Sequence, residues 1–600
     1  MKRKYFVWAV VMASSLAFTS CDDFFETDPD DIINEDDYIE SDDEMYKGFL
    51  GIISKVQEAG DQAIFLTDTR CNFLEVTTAA PSELQDIYNY SNTDNNEYAD
   101  PSCYYAIIIA CNDYFDKMAE YHENVGGMSE TSETNFEAML SCAIRLKVWA
   151  YLKLGSIYGE AYWFDDPLTE MYDLSDTDVF TYCDMKDLSE KCLNLLENGM
   201  TVDGVDIASD VSMYWYTWLD EESQNEDEYT EWQFITPPRI ILEAEWRSWR
   251  ASYLDEDAAQ SDWLWIRDNL LEWLYNMHTA TDISAIDIGG FTEDDLESAG
   301  YIYQLNIPLQ SDATYVYYKI FFAEEGIGNK MQVISAIIYN YTYDQTNRIV
   351  QYFCPTYPDA ESFYLRPSEY GLNLYDEDDI RSLTQKMVLN TLGGEDCVSK
   401  YYYAYNTTTR TYEYLNDDIY KIEPSIIMFR GHDVHFLLAE AENHLGNWWQ
   451  SKTLLNMGLT NEFADKVLDE SWSTYYSSWF GDNGGYGNVG IVGAARGTTY
   501  DLPTPEDDDY DLTEDERKQI YDWALADEYL KEFVAEGKSY GYMCKIADRY
   551  ADPAYRGGSE EAARDSFAAR IAPKYTETAT QQKVKNYIQS NGYFIVWNLE

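Results

Sequence analysis

The sequence predicts a mainly α fold: TPR-like helix pairs joined by irregular loops, with a few short strands. Two apolar stripes carry that reading. Leu140, Ile144, Val148, Tyr151 and Leu152 recur at helical spacing within residues 135–158, and Val434, Leu437, Leu438, Ala441 and Leu445 do so within 429–445. The third observation is that such helices pair with small residues at their crossings, although no clean 34-residue period can be counted.

Residues 1–20 read as a secretory signal peptide. Met1-Lys2-Arg3-Lys4 is a basic start, 5–18 is a mostly apolar run too short to span a bilayer, and Thr19-Ser20 leads into Cys21. Cleavage before Cys21 would free its amine and thiol for acylation, for example by palmitate. Two or more acyl chains anchor stably, at roughly 0.8 kcal/mol per buried methylene. The alternative is an ordinary cleaved signal with an incidental cysteine. Residues 21–44 then form an acidic tether: thirteen Asp and Glu follow Cys21 without a lysine or arginine, so the segment repels itself and stays solvated. The rest, 45–600, is one helical body with halves near 45–300 and 301–600.

Helix dominates from Met45 to about residue 275. Thr236-Pro237-Pro238 reads as an N-cap followed by proline in a first turn, opening a helix through Trp249. A further aromatic-rich helix covers 263–276, and the polar stretch 203–235 reads as loop. Over 301–355 the pattern changes: 333–339 and 349–353 are β-branched and aromatic, and Asp344-Gln345-Thr346-Asn347 between them is turn-like, which predicts a short hairpin. Helix returns over 429–445, stopped by Gly446. A Gly/Tyr/Asp-rich loop covers 473–510, and 514–543 is another strong helix.

Forty-one basic residues against 110 acidic ones give a net charge of −69, which excludes nucleic acid as a partner and disfavours polyanionic ligands. No second apolar run reaches transmembrane length. The chain carries 54 Tyr, 17 Trp and 24 Phe. Many must lie near the surface, where such rings stack on sugar faces or peptide side chains, although each ring taken singly is better explained by helix packing. Ten cysteines without a CxxC pair fit neither a disulfide framework nor a zinc site, so free buried thiols are expected, with one or two disulfides left open.

No catalytic constellation stands out. His432, His435 and His444 with Glu440 and Glu442 suggest a metal cluster at first, but His435 is followed four residues on by Ala439, and the helix reads as a packed interface. Gly485 to Gly490 matches GxGxxG only formally, without the flanking strand and helix. Carboxylate pairs arise by chance among so many acids, and there is no GxSxG elbow. No enzyme, metal or cofactor is expected.

Five segments in order resemble the SusD/RagB family of nutrient-binding lipoproteins, across nearly the whole chain. They are Cys21-Asp22-Asp23-Phe24 with Thr27-Asp28-Pro29; Cys103-Tyr104-Tyr105 to Cys111-Asn112; Glu137-Ala138 through Arg145, Tyr151, Tyr158-Gly159 and Pro167-Leu168; Phe429-Arg430 through Leu437-Leu438-Ala439-Glu440-Ala441 and Leu445-Gly446; and Glu528 through Glu532-Phe533, Glu536-Gly537 and Asp548-Arg549. Ala526-Asp527 and Gly431-His432 depart from the family pattern and mark a divergent member. The resemblance implies a SusD-like body with a loop-rich, irregular ligand-binding face, anchored to the outer membrane and facing the exterior. It implies a lid over a SusC-like TonB-dependent transporter that captures oligosaccharides and does not cleave them. A peptide-binding lid of RagAB type, a surface glycoside hydrolase and an adhesion protein are the alternatives. Matching the family's ligand regions by order places candidate contacts at Asp68, Arg70, Tyr88, Tyr90, Asn95, Tyr98, Tyr341 and Tyr343, and the competing reading for each is packing.

Overall fold

Burial of apolar faces at helical spacing organises the chain, and a computed structural model describes how. It covers residues 39, 41–91, 93–168, 176–211, 235–279, 333–358, 360–406, 411–414, 423–456, 490–551 and 558–597. The signal segment, Cys21 and most of the acidic tether fall outside the described residues.

The N-terminal half holds α1 (Asp42–Ala59), α2 (Ser82–Tyr88), α3 (Ser102–Val125), α4 (Glu130–Tyr158), α5 (Met185–Asn198), α6 (Arg239–Ser252) and α7 (Glu256–Thr279). The C-terminal half holds α8 (Gly431–His444), α9 (Trp448–Asn456), α10 (Glu514–Glu532), α11 (Ser539–Arg549), α12 (Glu560–Ile571) and α13 (Thr578–Asn591). Neighbours in sequence pack in pairs: α3 on α4, α6 on α7, α8 on α9, α10 on α11 and α12 on α13. Helix α4 also meets α1, α5 and α11, so from Phe136 onward it is buried on nearly every face and not only along its apolar stripe. Its start is fixed by the Ser129 hydroxyl, which accepts from the Ser132 N–H at 3.1 Å, a cap worth about 1 kcal/mol. Among the described residues no helix is long and apolar enough to cross a membrane.

The described strands form two-stranded antiparallel ladders: β1 (Leu74–Val76) with β7 (Leu365–Pro367), β2 (Glu160–Trp163) with β3 (Thr181–Asp184), β4 (Met200–Val202) with β5 (Val205–Ile207), β6 (Val333–Ile337) with β12 (Ile426–Arg430), β8 (Leu389–Leu392) with β9 (Glu395–Val398), and β10 (Tyr403–Asn406) with β11 (Thr411–Tyr414). The hairpin expected over 333–353 is therefore corrected. β6 pairs with the distant β12, and Ile349–Phe353 is one turn of helix, with the Asn347 side-chain Oδ1 just before it accepting from the Ile349 N–H. A short buried apolar run has no periodicity that separates strand from helix.

Three helix boundaries also move. Phe429 and Arg430 belong to β12, so α8 starts only at Gly431. Pro238 itself precedes α6, leaving Thr236 outside the cap. The helix expected over 514–543 is two, broken where Ala535 and Gly537 take positive φ of 60° and 68°. A Cβ on Gly537 would lie 2.8 Å from the Ile64 nitrogen, so only glycine fits there. Gly446, at φ 81°, ends α8 as expected. All nine cysteines among the described residues are free thiols, eight of them buried.

Buried ion pairs tie the C-terminal half together. The Arg430 guanidinium donates to Glu532 at 2.8 Å and to Glu536 at 3.1 Å, Arg381 donates to Glu532 at 2.9 Å, and Lys400 to Glu536 at 2.7 Å. A second cluster joins Arg549 to Asp522 at 2.7 Å and to Glu440, which also receives Lys545 at 3.0 Å. Burial alone would raise these carboxyls, but the facing cations hold Glu440, Glu536 and Asp522 below the usual range. The histidine-rich segment is absorbed here: His444 stacks on Trp263 and bonds Asp522, and burial pushes His432 down to about 3, so it stays neutral beside Arg430. Among the described residues no group of His, Cys, Asp and Glu is arranged to hold a metal ion.

Candidate functional site

An aromatic cleft forms where the C-terminal end of α4 runs into β2. Helix α4 stops at Tyr158, and the chain turns at once into Glu160-Ala161-Tyr162-Trp163, so Tyr158, Glu160 and Tyr162, alternate residues of one short stretch, reach the same place. β3 lies antiparallel to β2 with Tyr182 directly opposite Tyr162. Pro101 and Tyr105 at the start of α3 form another wall, and the C-terminal segment adds Ile595 and Trp597. That segment is held by the Ile595 N–H donating to the Ile157 carbonyl at 3.0 Å, and by the Thr93 hydroxyl bonding the Val596 carbonyl. The cleft encloses about 200 Å³, less than the ~300–1,000 Å³ of drug-sized sites, which suits one sugar ring or one large side chain.

Several polar groups are already committed. The Tyr158 hydroxyl donates to the Ala99 carbonyl at 2.8 Å, and the Tyr105 oxygen accepts from the Tyr162 N–H at 2.9 Å. The Tyr182 hydroxyl donates to Glu160 Oε2. Burial raises the Tyr105 and Tyr158 phenols, and burial together with the Glu160 bond raises Tyr182, so all three are neutral donors. Among the described residues no hydrogen bond reaches Glu160 Oε1, the Tyr162 hydroxyl or the Trp597 indole N–H, which leaves one acceptor and two donors uncommitted in the cleft lining. Tyr162 and Tyr182 meet edge to face at 5.7 Å, and Tyr182 is 54% exposed, a ring presented for stacking.

A second cavity, about 50 Å³, lies among Trp149, Lys153, Glu245, Trp249, Asp433 and Lys538. It has room for a few waters and not for a sugar ring. Burial lowers the Lys153 ammonium there to about 8.

The candidates chosen from sequence divide sharply. Asp68, Arg70, Tyr90 and Tyr98 are all buried, so in this fold their side chains pack the interior and do not meet solvent, which corrects their placement on the ligand face. The Arg70 guanidinium sits 4.2 Å from the Tyr90 ring and 5.2 Å from the Tyr587 ring. Asp68 accepts from the Gly537 N–H at 2.9 Å, and the Tyr98 hydroxyl meets that of Tyr352 at 3.0 Å. Tyr88 is half-buried under Lys574, and Asn95 is exposed, two residues beyond the Thr93 contact to the cleft's C-terminal wall. Tyr341 and Tyr343 are exposed on a short turn after β6 and do not line the cleft. Reasoning from sequence missed Tyr158, Glu160, Tyr162, Tyr182 and Trp597. The one legible signal was the density of aromatics from Tyr158 to Trp163.

Burial raises Asp68 to about 7, so the folded state holds a proton that the unfolded chain releases near pH 4. This stabilises fully below that point and is lost as pH rises towards 7. Asp68→Asn is therefore expected to gain stability relative to the parent at pH 8 and not at pH 4. Denaturation midpoints at the two pH values check this, and equal differences would show that Asp68 is ionised in the fold.

No family model matches the chain, and no curated protein matches it in sequence. Solved structures match in fold. A SusD homologue from Bacteroides thetaiotaomicron aligns at 12% identity and TM-score 0.50, over 92% of this chain and 93% of its own. A SusD superfamily protein from the same species aligns at 15% identity and TM-score 0.48, over 86% and 92%. Bacteroides fragilis NanU aligns at 14% and 0.47, over 87% and 93%. With the helix pairs and short ladders described above, the full-length alignment identifies the fold: this chain is a divergent carrier of the SusD-like fold.

Proposed function

We propose that the protein is a non-catalytic carbohydrate-capture subunit of a nutrient-uptake system. In this reading it is acylated at Cys21, held at the outer membrane through the acidic tether of residues 21–44, and faces the exterior. It hands oligosaccharides to a SusC-like TonB-dependent transporter, and tethering beside the pore raises the effective ligand concentration there. The observation that carries the reading is the aromatic cleft: rings presented for stacking, a few uncommitted polar groups, and a volume fit for one sugar ring. Among its described lining residues Glu160 is the one carboxylate, whereas glycoside hydrolysis takes a positioned pair. Asn95, Tyr341 and Tyr343 are proposed as outlying contacts for a longer chain.

The charge of −69 sets an order of preference. A neutral glycan is expected to bind more tightly than a sulfated or uronic-acid polymer of the same length, with Kd between about 1 mM and 1 μM. Calorimetry at physiological salt measures both, and equal or tighter binding of the anionic polymer would sink this expectation.

A further inference from the structure

We infer that the cleft recognises a ligand carrying an ammonium group, in the first place a glycan with a free amine. This rests on the cleft being the ligand site, as proposed above, and it names the chemistry that the site prefers. The lining combines tyrosine and tryptophan rings with the Glu160 carboxylate, and among the described residues it contains no lysine or arginine. Rings beside a carboxylate are the surroundings in which a cation is held from two directions, by the π faces and by the charge. Glu160 is pre-positioned for this, since the Tyr182 hydroxyl fixes Oε2 and leaves Oε1 open.

The register of the β2–β3 ladder supplies an independent observation. Glu160 stands directly opposite Asp184 across the β2–β3 ladder, and both are exposed. Like charges facing each other across a strand pair repel. Asp184 turns one oxygen to the Asp187 N–H at 2.9 Å, capping α5, and neither carboxylate has a lysine or arginine partner among the described residues. A cation bound between the rings and Glu160 would relieve that repulsion. The nearby carboxylates add to a field of the same sign: Glu160 and Asp184 act on Tyr182, Glu160 on Tyr105 and Asp100 on Tyr158.

The test is a calorimetric comparison of a glucosamine oligosaccharide with its fully N-acetylated counterpart, at physiological salt and at a pH where the amine is protonated. The proposal predicts at least tenfold tighter binding of the free-amine form, with the difference abolished in Glu160→Gln. A lysine oligopeptide against its Nε-acetylated form identifies the source of the ammonium. Preference for the peptide amine over the sugar amine retains the ammonium site and overturns the glycan assignment. Glu160→Gln removes one carboxylate of 110, so attraction to overall charge would survive it. A free-amine preference unchanged in that variant overturns the proposal. Equal binding of both oligosaccharides, lost together in Tyr182→Ala, overturns the ammonium inference and leaves the cleft as a ligand site. Absence of binding by every probe overturns both.

Discussion

Replacing Arg430 by alanine is expected to destabilise the protein by about 3–5 kcal/mol, the cost of removing one partner from a buried ion pair. Arg430 has no solvent exposure, and its guanidinium serves Glu532, Glu536 and the Glu532 backbone carbonyl together. It also lies 4.2 Å from the Phe533 ring. These contacts join β12 to the break between α10 and α11, so three elements lose a common anchor. Arg381 and Lys400 still face the two glutamates, which keeps the loss at this level and not higher. Arg430→Lys is expected to recover only part of it, since an ammonium cannot reproduce the planar fork. Urea unfolding followed by circular dichroism reads the change, and a loss below about 1 kcal/mol would mean that the network is not holding these elements. Acid should mimic the substitution. Glu536, Glu440 and Asp522 are held below their usual range by their cations, so their stabilisation is present at neutral pH and is lost as pH falls below about 4.

The second large effect is on binding. Tyr182→Ala and Trp597→Ala are each expected to weaken the captured glycan by ten- to a hundredfold, about 1.4–2.8 kcal/mol, because each removes a ring from the cleft. Tyr182 is 54% exposed and Trp597 is partly exposed. Stability of the Tyr182→Ala variant should therefore move by no more than about 0.5 kcal/mol, which separates lost contact from lost fold. Tyr341→Ala and Tyr343→Ala, outside the cleft, are expected to affect long oligosaccharides only. A larger loss at Tyr341 or Tyr343 than at Tyr182 would move the site to the turn after β6.

What could be read from sequence follows from what is local. The stripe through Leu140 to Leu152 locates α4, and Gly446 marks the end of α8, because spacing and backbone freedom are properties of adjacent residues. Register between distant strands is not local: nothing in 333–353 says that β6 pairs with Ile426–Arg430. The break at Gly537 was hidden for the same reason, since its cause is the approach of Ala63 and Ile64. The site was the least legible part. Thr67-Asp68-Thr69-Arg70 looks like a polar surface loop, yet Arg70 is drawn between Tyr90 and Tyr587, and Asp68 meets Gly537. The cleft is assembled from the start of α3, the end of α4, the β2–β3 ladder and the C-terminal segment, four pieces that no spacing rule connects. Its acidic rim could be felt only through the overall charge.

The most direct measurement is a glycan-panel titration of the protein and its Tyr182→Ala/Trp597→Ala variant, with chromatography of the supernatants for cleavage products. The account predicts binding by the parent, loss of that binding in the variant, and no products. Binding that survives in the variant, or products released from a bound glycan, would contradict it.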